Sequence, residues 1–250
     1  MKNQKFVAGL LNVILLIAAS HLSAQTLKIE TVDIAPYGFR DKADHPTGML
    51  YEIGNRIAEQ AGLPYINEIV PVVRTAPNLE SGKSNMILRI DNAEIDRVGI
   101  KVMPITTVSV ILFSRQESHF STAIDFSGKT IGMVRGADYG NAITKIYGFS
   151  RYNTNDYKQM LRMVMAGHLD GGIGTAPGVY YTLLSIGVAI QRLAKPVVVD
   201  RITIFLYLSR NSATPKTIDL LQHAAKKVID SGEVAKIIDK YELGLDNAFR

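Results

Sequence analysis

A strand, an aromatic loop and an amphipathic helix follow one another between Leu27 and Gly62, and this unit constrains the chain more than any other. Leu27 to Val32 is a short apolar strand that runs into a Pro-aromatic loop carrying Asp33, Tyr37 and Phe39. Thr47 then offers a hydroxyl suited to a helix N-cap. Met49, Ile53, Ile57 and Ala61 recur every four residues, with Leu50 and Ala58 beside them, so one helical face is apolar. Gly62 and Pro64 stop the helix. Strand, exposed loop and helix in this order is how an α/β protein builds a ligand site at the carboxyl edge of its sheet.

The pattern continues along the chain. Tyr65 to Val70 reads as a strand, Thr75 to Ser81 as a short helix closed by Gly82, and Asn85 to Leu88 as a buried strand. Arg89 to Arg97 is polar and predicts a loop with one helical turn. After the β-branched run Thr107–Phe113 the alternation restarts, with strands at Thr130–Val134 and ending at Tyr152, and a helix over Tyr139–Tyr147. Thr154 is the expected cap of the next helix, whose Tyr157, Met160, Leu161, Val164 and Met165 share a face. Asp170 to Ile173 predicts a short strand, and Thr175 with Pro177 the start of a further helix. Ile202 to Leu208 is a second β-type run, followed by helices that begin at Thr214-Pro215 and Glu233.

Two strand-to-helix arrays therefore flank two long strands, both ending in Ser-Arg (Ser114-Arg115 and Ser209-Arg210). The expected architecture is α/β with two lobes joined by two crossing hinge strands. Lobe one takes residues 25–112 plus 203–250 and lobe two takes 113–202. Such a hinge frames a cleft that can close on a ligand.

Residues 1–24 read as a cleaved signal peptide: Lys2 and Lys5, an apolar run from Phe6 to Ala19, and Ser23-Ala24 before Gln25. The run is short and interrupted, and no later stretch reaches the ~18 apolar residues of a span. This predicts a periplasmic protein. The chain carries 28 Lys+Arg against 23 Asp+Glu; without the two leader lysines the excess falls from +5 to +3. So mild an excess, with no basic run, argues against a nucleic-acid partner. The absence of cysteine excludes disulfides, thiolate metal sites, a cysteine nucleophile and a lipidated N-terminal cysteine, so the mature protein is expected free in its compartment. The histidines at 21, 45, 119, 168 and 223 do not cluster, and Gly171-Gly172-Ile173-Gly174 lacks the Lys and Ser/Thr of a phosphate loop. Neither metal nor cofactor is expected.

APYGF followed by GMLYEIGNRIAEQAG, then LESGKSNMIL, DFSGKTIGMVRG, MAGHLDGGIG and SGEVAKIIDKYEL, in this order and spacing, resemble the periplasmic solute-binding proteins of the polar amino acid type, family 3. The similarity covers nearly all of the mature chain. It implies the type II periplasmic binding fold, a small polar solute and an ABC transporter permease as partners, and a monomer. It also implies site residues. Tyr37 or Phe39 stands where the family's stacking aromatic falls, though Phe39 could equally pack under its loop. Asp33 matches an acid that faces the cleft or else shapes a turn. Arg97, counted from Asn85, matches the guanidinium that grips a carboxylate in a fork of two hydrogen bonds, with a solvated surface arginine as the other reading. Asn92 falls at a ligand-binding Thr or Ser, Arg74 matches an arginine of a related subgroup, and Arg89 is a further cleft candidate. In lobe two Arg135 and Asp138 lie at a helix start that could receive an anion, although Asp138 can fill that role itself. Thr175 replaces the family's amine-binding Asp, and serves either as contact or as helix cap. A standard amino acid, an organic acid, a modified amino acid and a small peptide-like solute all remain open as solutes.

Three functions are compatible with these residues: a non-catalytic binding protein for an importer, a cyclohexadienyl dehydratase-like enzyme with Asp138 as the acid, or an orphan sensor that docks on a membrane receptor. The first is expected.

Overall fold

The computed structural model describes residues 26–137, 139 and 148–242. The expected signal peptide, most of the Tyr139–Tyr147 helix and Asp138 lie outside the described residues. Strand β1 (Leu27–Val32) leads through β2 (Phe39–Arg40) and β3 (Pro46–Thr47) into helix α1 (Met49–Gln60). The helix buries Met49, Leu50, Ile53, Ile57 and Ala58, the face its sequence period marks out. Its N-cap is Gly48 and not Thr47. Residue 48 has φ 128°, and a Cβ there would lie 2.5 Å from the Tyr37 carbonyl oxygen, so only glycine fits. The Thr47 hydroxyl turns instead to Tyr241, 2.9 Å away, and donates to Glu52.

β4 (Tyr65–Val70) pairs in parallel with β1 from Leu27↔Tyr65 to Val32↔Val70. Then come α2 (Val72–Ser81), β5 (Met86–Ile90) and α3 (Ala93–Val98). The sequence signals placed this strand at Asn85–Leu88; it starts one residue later and ends two residues later, so Arg89 belongs to it. The long strand β6 (Gly99–Ser114) crosses to a second array: β7 (Thr130–Val134), β8 (Ser150–Thr154), α4 (Tyr157–Met165), β9 (Gly171–Thr175) and α5 (Ala176–Ser185). Asp156, not Thr154, caps α4, accepting from Gln159 N–H at 2.7 Å. Thr154 closes β8 and donates to the Met133 carbonyl. The return strand β10 (Val197–Ser209) leads to α6 (Pro215–Asp230) and α7 (Glu233–Glu242). Thr214 caps α6 with Pro215 in its first turn, as read from sequence.

One hydrogen-bonded sheet runs β4-β1-β5-β10-β6-β9-β7-β8. It is continuous only through the two crossing strands. β5 pairs with β10 at Ile204 to Leu208, and β9 pairs with β6 at Val110 to Ser114. Between these ladders, Thr107, Val108 and Ser109 meet Thr203, Ile202 and Arg201 and no third strand. The sheet thus narrows to a waist of two strands, and the α/β arrays on either side are the two lobes.

Candidate functional site

The edges of both half-sheets converge on a cavity beside this waist. Its volume is about 50 Å³. Lobe one contributes Val32, Leu50, Leu88 and Ile204 as apolar wall, with Tyr37 from the loop after β1 and Arg89 from β5. Lobe two contributes Ala137, Tyr139, Tyr157 and Thr175. Arg89 is the single charged side chain among the described lining residues. It is buried, 8% exposed, and donates to the Val72 carbonyl at 3.2 Å and to the Thr75 hydroxyl. These bonds fix the guanidinium at the cavity wall, and a guanidinium kept out of bulk water interacts strongly with any anion it meets.

A chain of hydroxyls spans the lobes. Tyr37 donates to Thr175 Oγ1 at 2.7 Å, and the Tyr157 hydroxyl lies 3.1 Å from the same oxygen. The Thr175 backbone N–H donates back to Tyr157 Oη at 3.0 Å. Tyr139 bonds to Tyr157 and accepts from Val134 N–H at 3.3 Å. Burial pushes both the Tyr139 and the Tyr157 hydroxyl above the ordinary tyrosine value, so each remains a neutral phenol. Thr175 occupies the N-cap position of α5, but its hydroxyl makes no cap bond there; it is engaged by the tyrosines.

The glycines of lobe two make this chain possible. A Cβ on Gly174 would lie 2.5 Å from the Tyr157 ring, and one on Gly178 would also meet that ring. A Cβ on Gly172 would lie 2.5 Å from Phe113, and one on Gly171 2.7 Å from Phe126. The Gly-Gly-Ile-Gly run is therefore space for aromatic rings, in keeping with its missing phosphate-loop residues.

Outside the cavity lies an open crevice of about 740 Å³, bounded by Asp33, Phe39 and Lys42 on one side and Asp156, Lys158 and Tyr181 on the other. Ile34 and Tyr157 line both spaces, so the crevice adjoins the cavity. Phe39 bridges the lobes here. Its ring lies 5.5 Å from Tyr181 of α5 and 6.2 Å from Tyr241 of α7.

Of the residues singled out in the sequence, Tyr37, Arg89 and Thr175 meet at the cavity, while Asp33 and Phe39 border the crevice. Four others lie away from the cavity lining. Arg97 does not reach the cavity: it is 65% exposed in its side chain and pairs with Glu80 at 2.7 Å, because its turn of α3 faces α2 on the outer side of lobe one. Asn92 caps α3, its Oδ1 accepting from Ile95 N–H at 2.9 Å. Arg74 is exposed on α2, and Arg135 is exposed in the turn after β7; neither lines the cavity. Asp138 lies outside the described residues. Tyr139, Tyr157, Tyr181 and Tyr241 were not singled out for the site. Glycines at 174 and 178, flanking Thr175, were the available signal for Tyr157.

The family model of bacterial extracellular solute-binding proteins, family 3, matches residues 27–244. No curated protein matches the sequence. Among solved structures, an ancestral arginine-binding protein bound to arginine superposes with a TM-score of 0.75 at 14% identity, over 88% of this chain and 99% of that one. The arginine-, lysine-, histidine-binding protein ArtJ from Geobacillus stearothermophilus gives 0.69 at 19% identity, over 87% and 95%. A histidine kinase sensor domain with similarity to periplasmic binding proteins gives 0.72 at 18% identity, over 87% and 96%. At these identities the neighbours establish the two-lobed fold alone. The family match over nearly the whole described length goes further: the chain belongs to the bacterial extracellular solute-binding proteins, family 3.

Proposed function

We propose that this chain is a non-catalytic, monomeric periplasmic protein that closes on a small carboxylate-bearing solute and presents it to an ABC importer. The observation that carries this reading is the buried Arg89 guanidinium at a cavity to which both lobes contribute polar groups. A solute held by Arg89 and by the tyrosine hydroxyls of the facing lobe touches both lobes only when they are shut. It therefore binds the closed state more tightly and shifts the population towards it. In this reading the lobes divide at the two-stranded waist, between the β5–β10 and β6–β9 ladders. Bending is cheapest at the waist of Thr107–Ser109 and Arg201–Thr203, where only one ladder of hydrogen bonds must flex. Asp33 and Phe39 then act at the mouth and not on the solute's charged end.

The test is a thermal-shift screen of amino acids and organic acids on the purified chain, followed by calorimetry. A carboxylate that raises the melting temperature and binds with one-to-one stoichiometry supports the reading; a screen without a ligand removes its main support. An assay for phenylpyruvate formation from prephenate tests the enzymatic alternative, and turnover there would replace this reading.

A further inference from the structure

The lobes also meet outside the cavity, through contacts made by protein groups alone. Phe39 of lobe one packs against Tyr181 of lobe two with ring centroids 5.5 Å apart, and the Tyr241 ring lies 6.2 Å from each of them. Each ring therefore borders the other two, at the tilted and edge-on angles that aromatic pairs favour. The lobe-one side of this cluster is firmly held. Phe39 sits in β2, opposite Thr47 of β3. Tyr241 is buried at the end of α7; its hydroxyl accepts from the Gly48 N–H at 3.0 Å, lies 2.9 Å from Thr47 Oγ1 and donates to Glu52. Helix α7 thus pins the hairpin that carries Phe39. Tyr181 supplies the lobe-two side from α5, which packs against α7. A second contact lies where the turn after β7 approaches α2: a Cβ on Gly136 would come within 2.8 Å of Val73. Phe39 and Tyr181 border the crevice and are not among the described residues that line the cavity.

We propose that Phe39, Tyr181 and Tyr241 form a latch that draws the lobes together before any solute is bound. Opening must part Phe39 from Tyr181 and return apolar ring surface to water. An aromatic contact of this kind multiplies the closed-to-open ratio about three- to tenfold. A solute that binds only the shut state then binds with an apparent affinity proportional to the share already shut. Phe39 and Tyr181 are positioning residues in this sense, because they set affinity from outside the cavity. The proposal goes beyond the solute-binding reading above: it rests on the lobes moving at the waist, and not on Arg89 or on the solute's identity.

The chain has no cysteine, so Lys42→Cys and Lys158→Cys, at exposed positions on opposite sides of the crevice, take spin labels at two defined points. Pulsed electron resonance on the extensively dialysed chain then reads the distance across the mouth. The expected result is a short-distance population whose ratio to the long one falls about three- to tenfold in Phe39→Ala and in Tyr181→Ala. Tyr181→Phe keeps the ring and should keep the distribution. Phe39→Ala combined with Tyr181→Ala should shift it by less than the two single effects together, because both remove the same contact. Lower denaturant midpoints with unchanged distances in the two alanine variants would assign the rings a merely structural role and overturn the proposal. The long distance alone in the dialysed chain, shortened on addition of an amino or organic acid, overturns the latch and leaves the solute-binding reading standing. A single distance that neither the variants nor a panel of amino and organic acids changes overturns both.

Discussion

The two half-sheets have the same strand order outward from the crossing pair, yet they reach the cavity by different means. In lobe one the strand beside the crossing pair is β5, Met-Ile-Leu-Arg-Ile; in lobe two it is β9, Gly-Gly-Ile-Gly-Thr. β5 fills its surroundings with its own side chains and delivers a cation, Arg89, directly. β9 gives its volume away. Rings from β6, α4 and the segment before β7 occupy the space its glycines leave, and the polar group from α4, Tyr157, is seated through it. Strands in corresponding places can thus serve a site either as the source of a functional side chain or as the gap that admits one from elsewhere.

Adding single carbons tests this difference most sharply. Gly174→Ala places a Cβ against the Tyr157 ring and Val179, and overpacking of a dense core costs about 1–3 kcal/mol. The expected result is a lower denaturant midpoint with an unchanged slope, together with weaker solute binding. An unchanged midpoint would mean that the glycine is not needed for the ring. Tyr37→Phe keeps the ring and removes the one hydroxyl that ties the lobe-one loop to Thr175, for an expected loss of about 1 kcal/mol on the same measurement. In lobe one the opposite sign is expected. Gly54 lies inside α1, its nearest neighbour to a new Cβ being Ile29 at an ordinary 3.5 Å. Gly54→Ala should therefore stabilise by about 0.5–1 kcal/mol through helix propensity alone. A loss there would erase the contrast between the lobes.

A smaller, pH-dependent effect belongs to Glu30 of β1. It is 3% exposed, and Asn78 donates to its Oε1 at 2.7 Å. Burial, only partly offset by Asn78 and Lys83, raises its carboxyl above the ordinary 4.5. Because the folded carboxyl holds its proton more tightly than the unfolded one, this group's contribution is full below pH 4.5 and is lost as pH rises through the folded value. Glu30→Gln should flatten the stability profile from pH 4.5 upward and leave the protein at least as stable at neutral pH. A profile identical to that of the unsubstituted protein would show that Glu30 is not the group that titrates.

Much of the fold was legible because periodicity and punctuation agree with it. The first strand, loop and helix, the Thr214-Pro215 helix start and the two crossing strands all follow from local pattern. The crossing strands are longer than their β-branched centres indicate, since Lys101 and Pro104 in β6 interrupt the apolar run without ending the ladder to β10. Helix starts were misplaced where a competing partner wins: Gly48 takes the cap because the Tyr37 carbonyl crowds the position, and Asp156 because its carboxylate stands nearer the α4 start. Placing the arginine by counting from Asn85 led to Arg97. Asn85 is itself structural, accepting from Lys28 N–H and donating to Ser212, and carries no information about the cavity. In the sequence Arg89 was only a further cleft candidate at the start of a polar segment, and Tyr157 looked like one more core residue on an amphipathic helix. Only the packing shows that its hydroxyl end reaches Thr175.

The measurement that bears most directly on the whole account is a calorimetric titration of the preferred carboxylate into Arg89→Met and Arg97→Met side by side. Removing a desolvated partner of an anion costs roughly 2–5 kcal/mol, so the Arg89 variant should bind about a hundredfold or more weakly. The Arg97 variant, which loses only an exposed pair with Glu80, should bind as the unsubstituted protein does. Loss of binding in the Arg97 variant with retention in the Arg89 variant would contradict the account.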